Sequence, residues 1–348
     1  MSVQTIGIDL GKMVFHLVGM DSRGEIVVKK RLSRLQLVRY TANLPVCLIG
    51  MESCSGAHHL GAVLSAQGHH VRLIPGQCVR PYVKSNKNDY VDAEAIAEAV
   101  QRPTMRFVPI KTGDQLDLQA IHRVRDRLIA RRTSVINQLR AFLLERGITV
   151  RQGRAVLRRE MPELLAQAAQ SLSPCIQRLL QQLWREWLDL ESQIESTTKE
   201  IDAVAAQDAA CQRLQDVPGV GPLVATALVA AVGNGSSFAR GRDFAAWLGL
   251  VPRQASTGGK PRLLGISKRG NPYLRRLFVH GARSVLRNAN RERHPLTKWI
   301  SGLESRGAHP NVVIVALANK LARIAWAVLA SGEPYRIAGH PAGPLNFR

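Results

Sequence analysis

The sequence predicts an α/β domain at the N-terminus followed by a mainly helical remainder. Two observations carry this. Short apolar runs of β type, broken by turn residues, fill the first hundred positions. From Gly113 onward the apolar residues recur at helical spacing instead. A third feature sets the scale of the partner: the 348 residues carry a net charge of +22, with a pI of about 10.8. Lys and Arg in such excess displace the counterions condensed on a polyanion, and a small-molecule enzyme has no use for them.

Val3–Asp9, Val14–Met20 and Glu25–Leu32 read as three strands, separated by Gly11-Lys12 and Asp21-Ser22-Arg23-Gly24. Residues 35–44 read as a short helix, 46–51 as a buried strand ending on Glu52, and 57–67 as a helix. A strand at 71–74 and a helix at 91–100 follow. Three antiparallel strands followed by β-α alternation is the order of a ribonuclease-H-like fold.

Acids punctuate this order. Asp9 and Glu52 each follow a core strand directly, so they can meet at one sheet edge. Taken singly, Asp9 is also an ordinary turn residue, and Glu52 an ordinary acid near a helix start. Asp89 and Asp92 are three apart and share a helix face, although Asp89 also fits an N-cap. Lys84 and Lys87 lie just upstream and suit an approaching phosphate. Hard carboxylate oxygens favour Mg²⁺ or Mn²⁺.

Residues 113–146 read as one basic helix carrying Arg123, Arg127 and Arg131, and 147–153 break it. A second long helix over 174–208 is acidic, with near-heptad apolar spacing, which predicts an antiparallel pair or coiled coil. Net charge is +5 over residues 1–110, +7 over 111–160, −5 over 161–211 and +15 over 212–348. The domains are therefore placed at 1–110, 111–211 and 212–335, with a Gly/Pro-rich tail at 336–348.

In the basic C-terminal part, Pro218-Gly219-Val220-Gly221-Pro222 resembles a helix-hairpin-helix turn, whose backbone N–H groups at Gly219 and Gly221 suit a phosphate. A polar loop follows at 252–262 and holds Arg253, Ser256, Thr257, Lys260 and Arg262. Lys268 and Arg269 lead into a basic helix with Arg275 and Arg276, and 312–329 form an apolar closing helix. From the loop alone Ser256 reads as a hydroxyl contact to phosphate, the commoner role of a serine in a basic loop.

Five scattered cysteines, an odd number without a C-x-x-C pair, fit a reducing cytosol better than a disulfide framework or zinc site. No apolar run long enough to span a bilayer is read, and no signal peptide, so a soluble cytoplasmic protein without a membrane partner is expected.

Taken together and in order, Ile6-Gly7-Ile8-Asp9, Gly50-Met51-Glu52, Lys84 through Ala93, Pro218 through Pro222, and Gly249-Leu250-Val251-Pro252-Arg253 with Ser256-Thr257-Gly258-Gly259-Lys260 resemble the DEDD transposases of the insertion sequence 110 family. The resemblance is nearest to its 1111 subgroup, and Piv-type invertases are related. It covers almost the whole chain. It implies a RuvC-like N-terminal domain whose metal-binding acids are Asp9, Glu52, Asp89 and Asp92. It also implies a coiled-coil middle and a C-terminal transposase domain with a nucleophilic serine at Ser256, beside Thr257. The implied partners are donor and target DNA, a structured non-coding guide RNA (the bridge RNA), and further copies of the chain, with a tetramer as the synaptic form.

Three other readings compete. A RuvC-type nuclease would hydrolyse DNA with the same acids and no covalent intermediate. An actin/Hsp70-like ATPase shares the opening Ile-Gly-Ile-Asp-Leu-Gly but lacks its second phosphate loop here. A non-catalytic nucleic-acid-binding protein would need no acids at all.

Overall fold

The computed structural model describes residues 2–84, 88–288 and 296–336. The chain divides into two compact units, one ending at Thr112 and the other beginning at Gly113.

The first unit is built on a five-stranded sheet of β1 (Thr5–Leu10), β2 (Val14–Met20), β3 (Ile26–Ser33), β4 (Leu48–Glu52) and β5 (His70–Ile74). Their order across the sheet is β3-β2-β1-β4-β5. The first three strands are antiparallel, and β1, β4 and β5 run parallel. Helices α1 (Arg34–Ala42) and α2 (Ala57–Ala66) connect β3 to β4 and β4 to β5, and α3 (Gly76–Val79) and α4 (Asp89–Val100) follow β5. Helix α1 starts at a capping box, in which Ser33 Oγ accepts from Gln36 N–H and the Gln36 side chain accepts from Ser33 N–H.

The alternation of side chains along the strands sorts the sheet into two faces. Ile6, Ile8, Phe15, Leu17, Ile49 and Met51 are buried in one cluster with Leu37, Leu60 and Leu64 of α1 and α2. The other face, offered by Gly7, Asp9, His16, Val18, Gly50 and Glu52, is covered by α4, whose Ala93 and Ala97 pack on Val18 and Met20. Its N-cap is Asn88, which accepts from Tyr90 N–H at 2.9 Å. This corrects the N-cap reading of Asp89: both aspartates lie within the first turn, where the helix dipole favours negative charge.

The second unit is helical: α5 (Gly113–Leu144), α6 (Arg154–Ser171), α7 (Pro174–Gln207), α8 (Ala209–Gln215), α9 (Pro222–Val232), α10 (Gly241–Trp247), α11 (Pro272–Asn288), α12 (Thr297–Glu304) and α13 (Pro310–Ser331). A hairpin of β6 (Pro252–Gln254) and β7 (Leu263–Ile266) interrupts it. The two long helices pair as their apolar spacing predicts. Leu128, Val135, Leu139 and Leu143 of α5 share a core with Leu180, Trp187, Leu190 and Ile194 of α7, and α6 closes it with Leu157 and Met161. A second core gathers α8 to α13 around Phe244, Phe278, Leu228 and Leu321.

Helix α13 corrects the reading that no apolar run is long enough to span a bilayer. By length and composition it qualifies. Its buried residues, Val313, Leu317, Ala318, Leu321, Ala322, Ala325, Val328 and Leu329, instead fill the core of its own unit.

Candidate functional site

The acids of the first unit are gathered by a groove of glycines. Gly7 and Gly50 are paired across β1 and β4 and stand two residues before Asp9 and Glu52, on the same face of the sheet. Helix α4 lies in the space they leave. A Cβ at Gly7 would meet the Ala93 carbonyl oxygen at 2.0 Å, and one at Gly50 would meet Val100 Cβ at 2.8 Å. This close seating brings the first turn of α4, with Asp89 and Asp92, toward the strand ends that carry Asp9 and Glu52.

The electrostatics of Asp9 report the result. Its carboxyl is half-buried and its pKa is raised, first by burial, then by the negative charges of Asp89 and Asp92, and in smaller part by Glu52, with His16 opposing. All three other predicted acids thus act on one carboxylate. Glu52 lies against Gly76 at the start of α3, where a Cβ would sit 2.2 Å from its Oε1. Asp89 is exposed and Asp92 half-buried.

His16 was not singled out in the sequence. It stands directly opposite Asp9 in the β1–β2 register. Its Nδ1 is 3.4 Å from Asp89 Oδ2, and its ring meets Tyr90 edge-on at 4.9 Å. One ligand atom each from Asp9, His16 and Asp89 lie within 4.8 Å of one another. The signal was in the hairpin: the short turn after Leu10 fixes the register and therefore the residue facing Asp9. The donor set suits a hard divalent cation. It is carboxylate oxygen with one imidazole, and its crowded negative charge is what a cation relieves.

Of the upstream lysines, Lys84 reaches Glu94 at 3.3 Å and Glu98 at 2.5 Å on α4. Lys87 lies outside the described residues.

In the second unit, Ser256 sits at the end of the β6–β7 hairpin. Ala255 N–H donates to the Arg262 carbonyl at 2.9 Å, and Lys260 N–H to that of Thr257 at 3.1 Å. Gly258 and Gly259 between them both have positive φ, 55° and 75°, the backbone of a type I′ turn that glycine adopts without strain. Ser256 is exposed, and its Oγ accepts from Gln254 Nε2 at 2.8 Å, which leaves its own O–H free to donate. Arg253, Lys260, Arg262, Lys268 and Arg269 are exposed around the hairpin.

Other predicted phosphate contacts are engaged within the fold. Arg275 Nη1 donates to the carbonyls of Leu248 at 2.9 Å and Arg269 at 3.3 Å, which ties the hairpin's base. Arg276 pairs with Asp126 and covers the Tyr273 ring, and Arg131 pairs with Glu186 at 2.9 Å. Arg123 and Arg127 are exposed on α5. In the Pro218–Pro222 turn, Gly219 packs on α11, where its Cβ would meet the Gly281 carbonyl oxygen at 2.7 Å. Gly221 is exposed with open space over its Cα.

A sheet edge of gathered acids in one unit and an exposed serine hairpin among cations in the other define the class: a nucleic-acid phosphoryl-transfer enzyme. Comparisons with known proteins narrow it. A DEDD transposase family model of the IS110 group matches residues 6–147, and "Transposase IS116/IS110/IS902 family" matches residues 211–297. The chain is 46% identical over 336 residues to the transposase for insertion sequence element IS1328 of Yersinia enterocolitica, covering 96% of this chain and 99% of that one. It is 44% identical to the transposase for insertion sequence element IS1111A of Coxiella burnetii, over 96% of this chain and 92% of that one. A more distant relative is the pilin gene-inverting protein of Moraxella bovis, 28% identical over 43% of this chain and 47% of its own length. The chain belongs to the IS110 family of insertion-sequence transposases, enzymes that cut and rejoin DNA.

Proposed function

We propose that this transposase exchanges DNA strands through a covalent phosphoserine at Ser256, assisted by the carboxylates of Asp9, Glu52, Asp89 and Asp92, and that a bridge RNA chooses its donor and target DNA. The observation that carries the acid half of the reading is the cluster at the sheet edge, where ligand atoms of Asp9, His16 and Asp89 lie within 4.8 Å of one another and burial and three further acids act on Asp9. Residues 1–110 then serve as a RuvC-like acid domain, 111–211 as a coiled-coil arm, 212–335 as the transposase domain and 336–348 as a tail. The second family match begins at residue 211, which supports the boundary there.

Asp9, Glu52, Asp89 and Asp92 would hold Mg²⁺ or Mn²⁺, which supplies positive charge to a developing phosphoryl oxyanion and acidifies a nearby hydroxyl. The chain's own residues do the rest. Ser256 Oγ attacks the scissile phosphorus, its proton passes to a carboxylate, and the O–P bond to one deoxyribose oxygen breaks as that oxygen takes up a proton. The ester bond is conserved in the serine link, so rejoining the exchanged strand needs no high-energy cofactor. Arg253, Lys260, Arg262, Lys268 and Arg269 offset the phosphate charge around the hairpin, and Lys87, Arg123, Arg127 and the exposed Gly221 contact nucleic acid along its course, whereas Lys84, Arg131, Arg275, Arg276 and Gly219 are engaged within the fold and would act by holding these elements in place. Supporting guidance by RNA, no segment reads as a base-specific major-groove helix, while two basic stretches suit several polyanions at once. A tetramer would bring the copies of both sites together, in the bacterial cytoplasm at the nucleoid.

The test is recombination of the element's own ends by purified protein with and without its copurified RNA, with Ser256→Ala and Asp9→Asn beside the wild type. Both variants should lose recombination, and Ser256→Ala the SDS-resistant protein–DNA adduct. An adduct that persists in Ser256→Ala overturns the serine assignment, and full-rate recombination without RNA overturns the guide. A RuvC-type nuclease would give free cut ends and no adduct in any variant.

A further inference from the structure

Elsewhere in the helical unit, three arginines converge on one acid. Glu191 of α7 has its Oε1 3.3 Å from Arg132 Nη1, 3.5 Å from Arg154 Nη1 and 3.3 Å from Trp187 Nε1, while its Oε2 takes Arg158 Nη1. Arg132 comes from α5, and Arg154 and Arg158 from the first two turns of α6. Three hydrogen bonds, from Arg132, Arg158 and Trp187, and the ion pair with Arg154 thus converge on one carboxylate.

The charge does not balance. Three guanidiniums face Glu191; the exposed Glu195 pairs with Lys199 at 2.9 Å and also feels the charge of Arg158, and Glu160 pairs with Arg159 at 3.6 Å, so the cations remain in excess. Arg125 adds a further positive field on Arg132, whose pKa is lowered by burial first and then by Arg154. Each guanidinium also carries about five N–H donors, of which Glu191 takes one. Buried Arg132 Nε has no hydrogen-bond partner. Arg154 and Arg158 are each about half exposed, 53% and 54%, so a solvent-borne anion can reach them.

A structural ion-pair hub would match charges. This one gathers surplus cations and fixes their orientation, which is the arrangement of a preorganised anion site. Arg154 and Arg158 stand one helical turn apart, so their Cβ atoms are about 6 Å apart, close to the step between neighbouring phosphates of one strand. Planar guanidiniums match phosphate oxygens two by two.

We propose that Arg132, Arg154 and Arg158, held by Glu191, form a binding site for the phosphodiester backbone of a nucleic acid, reached from the α6 side. The site is separate from the arginines on the exposed face of α5 and from the serine hairpin. The proposal rests on the family's action on nucleic acid, and not on the serine mechanism.

The experiment measures affinity of the full chain for a labelled duplex DNA and for a labelled RNA hairpin over a salt series. Arg154→Gln/Arg158→Gln is compared with Arg178→Gln/Arg185→Gln, which removes the same charge from α7 elsewhere. On the nucleic acid that occupies the site, the first pair should lower the slope of log K against log salt by about 1.4 to 1.8, since each phosphate contact contributes about 0.7 to 0.9. The second pair should lower it by well under half as much. A loss confined to RNA or to DNA assigns the site to that polymer, and a loss with both assigns it to the shared backbone. If both pairs change the slope equally on both probes, or neither changes it, the proposal is wrong. If the double variant melts early, Arg154→Gln alone decides, with an expected fall of about 0.7 to 0.9. Failure of the Ser256 adduct would leave this binding result standing, and the reverse also holds.

Discussion

Gly76→Ala separates the site from the fold. Gly76 is the first residue of α3, and its φ is not in the left-handed region, so alanine suits the backbone. Alanine is also the better helix former, by up to about 1 kcal/mol. The new methyl, however, would sit 2.2 Å from Glu52 Oε1, against an ordinary contact of at least 3.4 Å. The atom in the way is the free end of a flexible side chain, so the carboxylate swings aside by about 1.2 Å and the backbone stays. Stability should be unchanged or slightly higher. A 1 Å misplacement of a group that aligns the reaction costs on the order of 10²-fold in rate, and recombination should fall by about that factor. The assay is the rate of strand exchange on the element's DNA, beside the thermal midpoint of the same preparation. Wild-type recombination by Gly76→Ala would refute the reasoning, because Glu52 would then work equally well from a displaced position. Loss of both stability and activity would refute it differently, by showing that Gly76 is needed for folding.

Three further outcomes follow from the same geometry. Gly7→Ala puts Cβ 2.0 Å from the Ala93 carbonyl oxygen and 2.5 Å from Ala97 N, both rigid helix backbone. It should therefore destabilise by at least the 1–3 kcal/mol typical of overpacking, whereas Gly302→Ala, with nothing within 4 Å, should not; denaturant midpoints check this. His122 is buried, with Nε2 3.0 Å from Thr226 Oγ1 and Nδ1 2.9 Å from the Tyr273 hydroxyl, and burial, then Arg125, lowers its pKa to about 4. The neutral form is the folded one, so its contribution is complete above the unfolded value of about 6.5 and is lost as pH falls toward 4, on the order of 3 kcal/mol in all. The wild type should lose more stability between pH 7 and pH 4.5 than His122→Gln does, and equal losses would count against this. Chelation with EDTA should stop strand exchange, and added Mg²⁺ or Mn²⁺ should restore it, with Ca²⁺ restoring less; exchange that continues in EDTA would remove the metal from the account.

Much of this architecture is legible in the sequence, for local reasons. Strands that end on Asp9 and Glu52 announce themselves because an apolar β run stops at an acid and a turn. The helices over 113–144 and 174–207 follow from apolar spacing alone. What was missed depends on contacts distant in sequence. His16 becomes part of the site only through its cross-strand register with Asp9. Gly7, Gly50 and Gly76 look like ordinary glycines until α4 and the Glu52 side chain fill the space beside them. Helix α6 lies between the break at 147–153 and the helix from 174, where the sequence reading assigns no element, because its proline at 162 and mixed polarity blur the period. The serine hairpin reads as a loop because its residues are polar and exposed on both faces, yet the paired glycines at 258 and 259 already specified a two-residue turn.

The central claim is that the hydroxyl of Ser256 carries DNA covalently while the acids of the first unit enable it. The most direct measurement is mass spectrometry of the protein trapped during strand exchange, denatured, nuclease-treated and digested. The account predicts a nucleotide remnant on the peptide containing Ser256, localised to that residue and lost in Asp9→Asn. A remnant on Thr257 or another side chain, or no remnant while exchange proceeds, would contradict it.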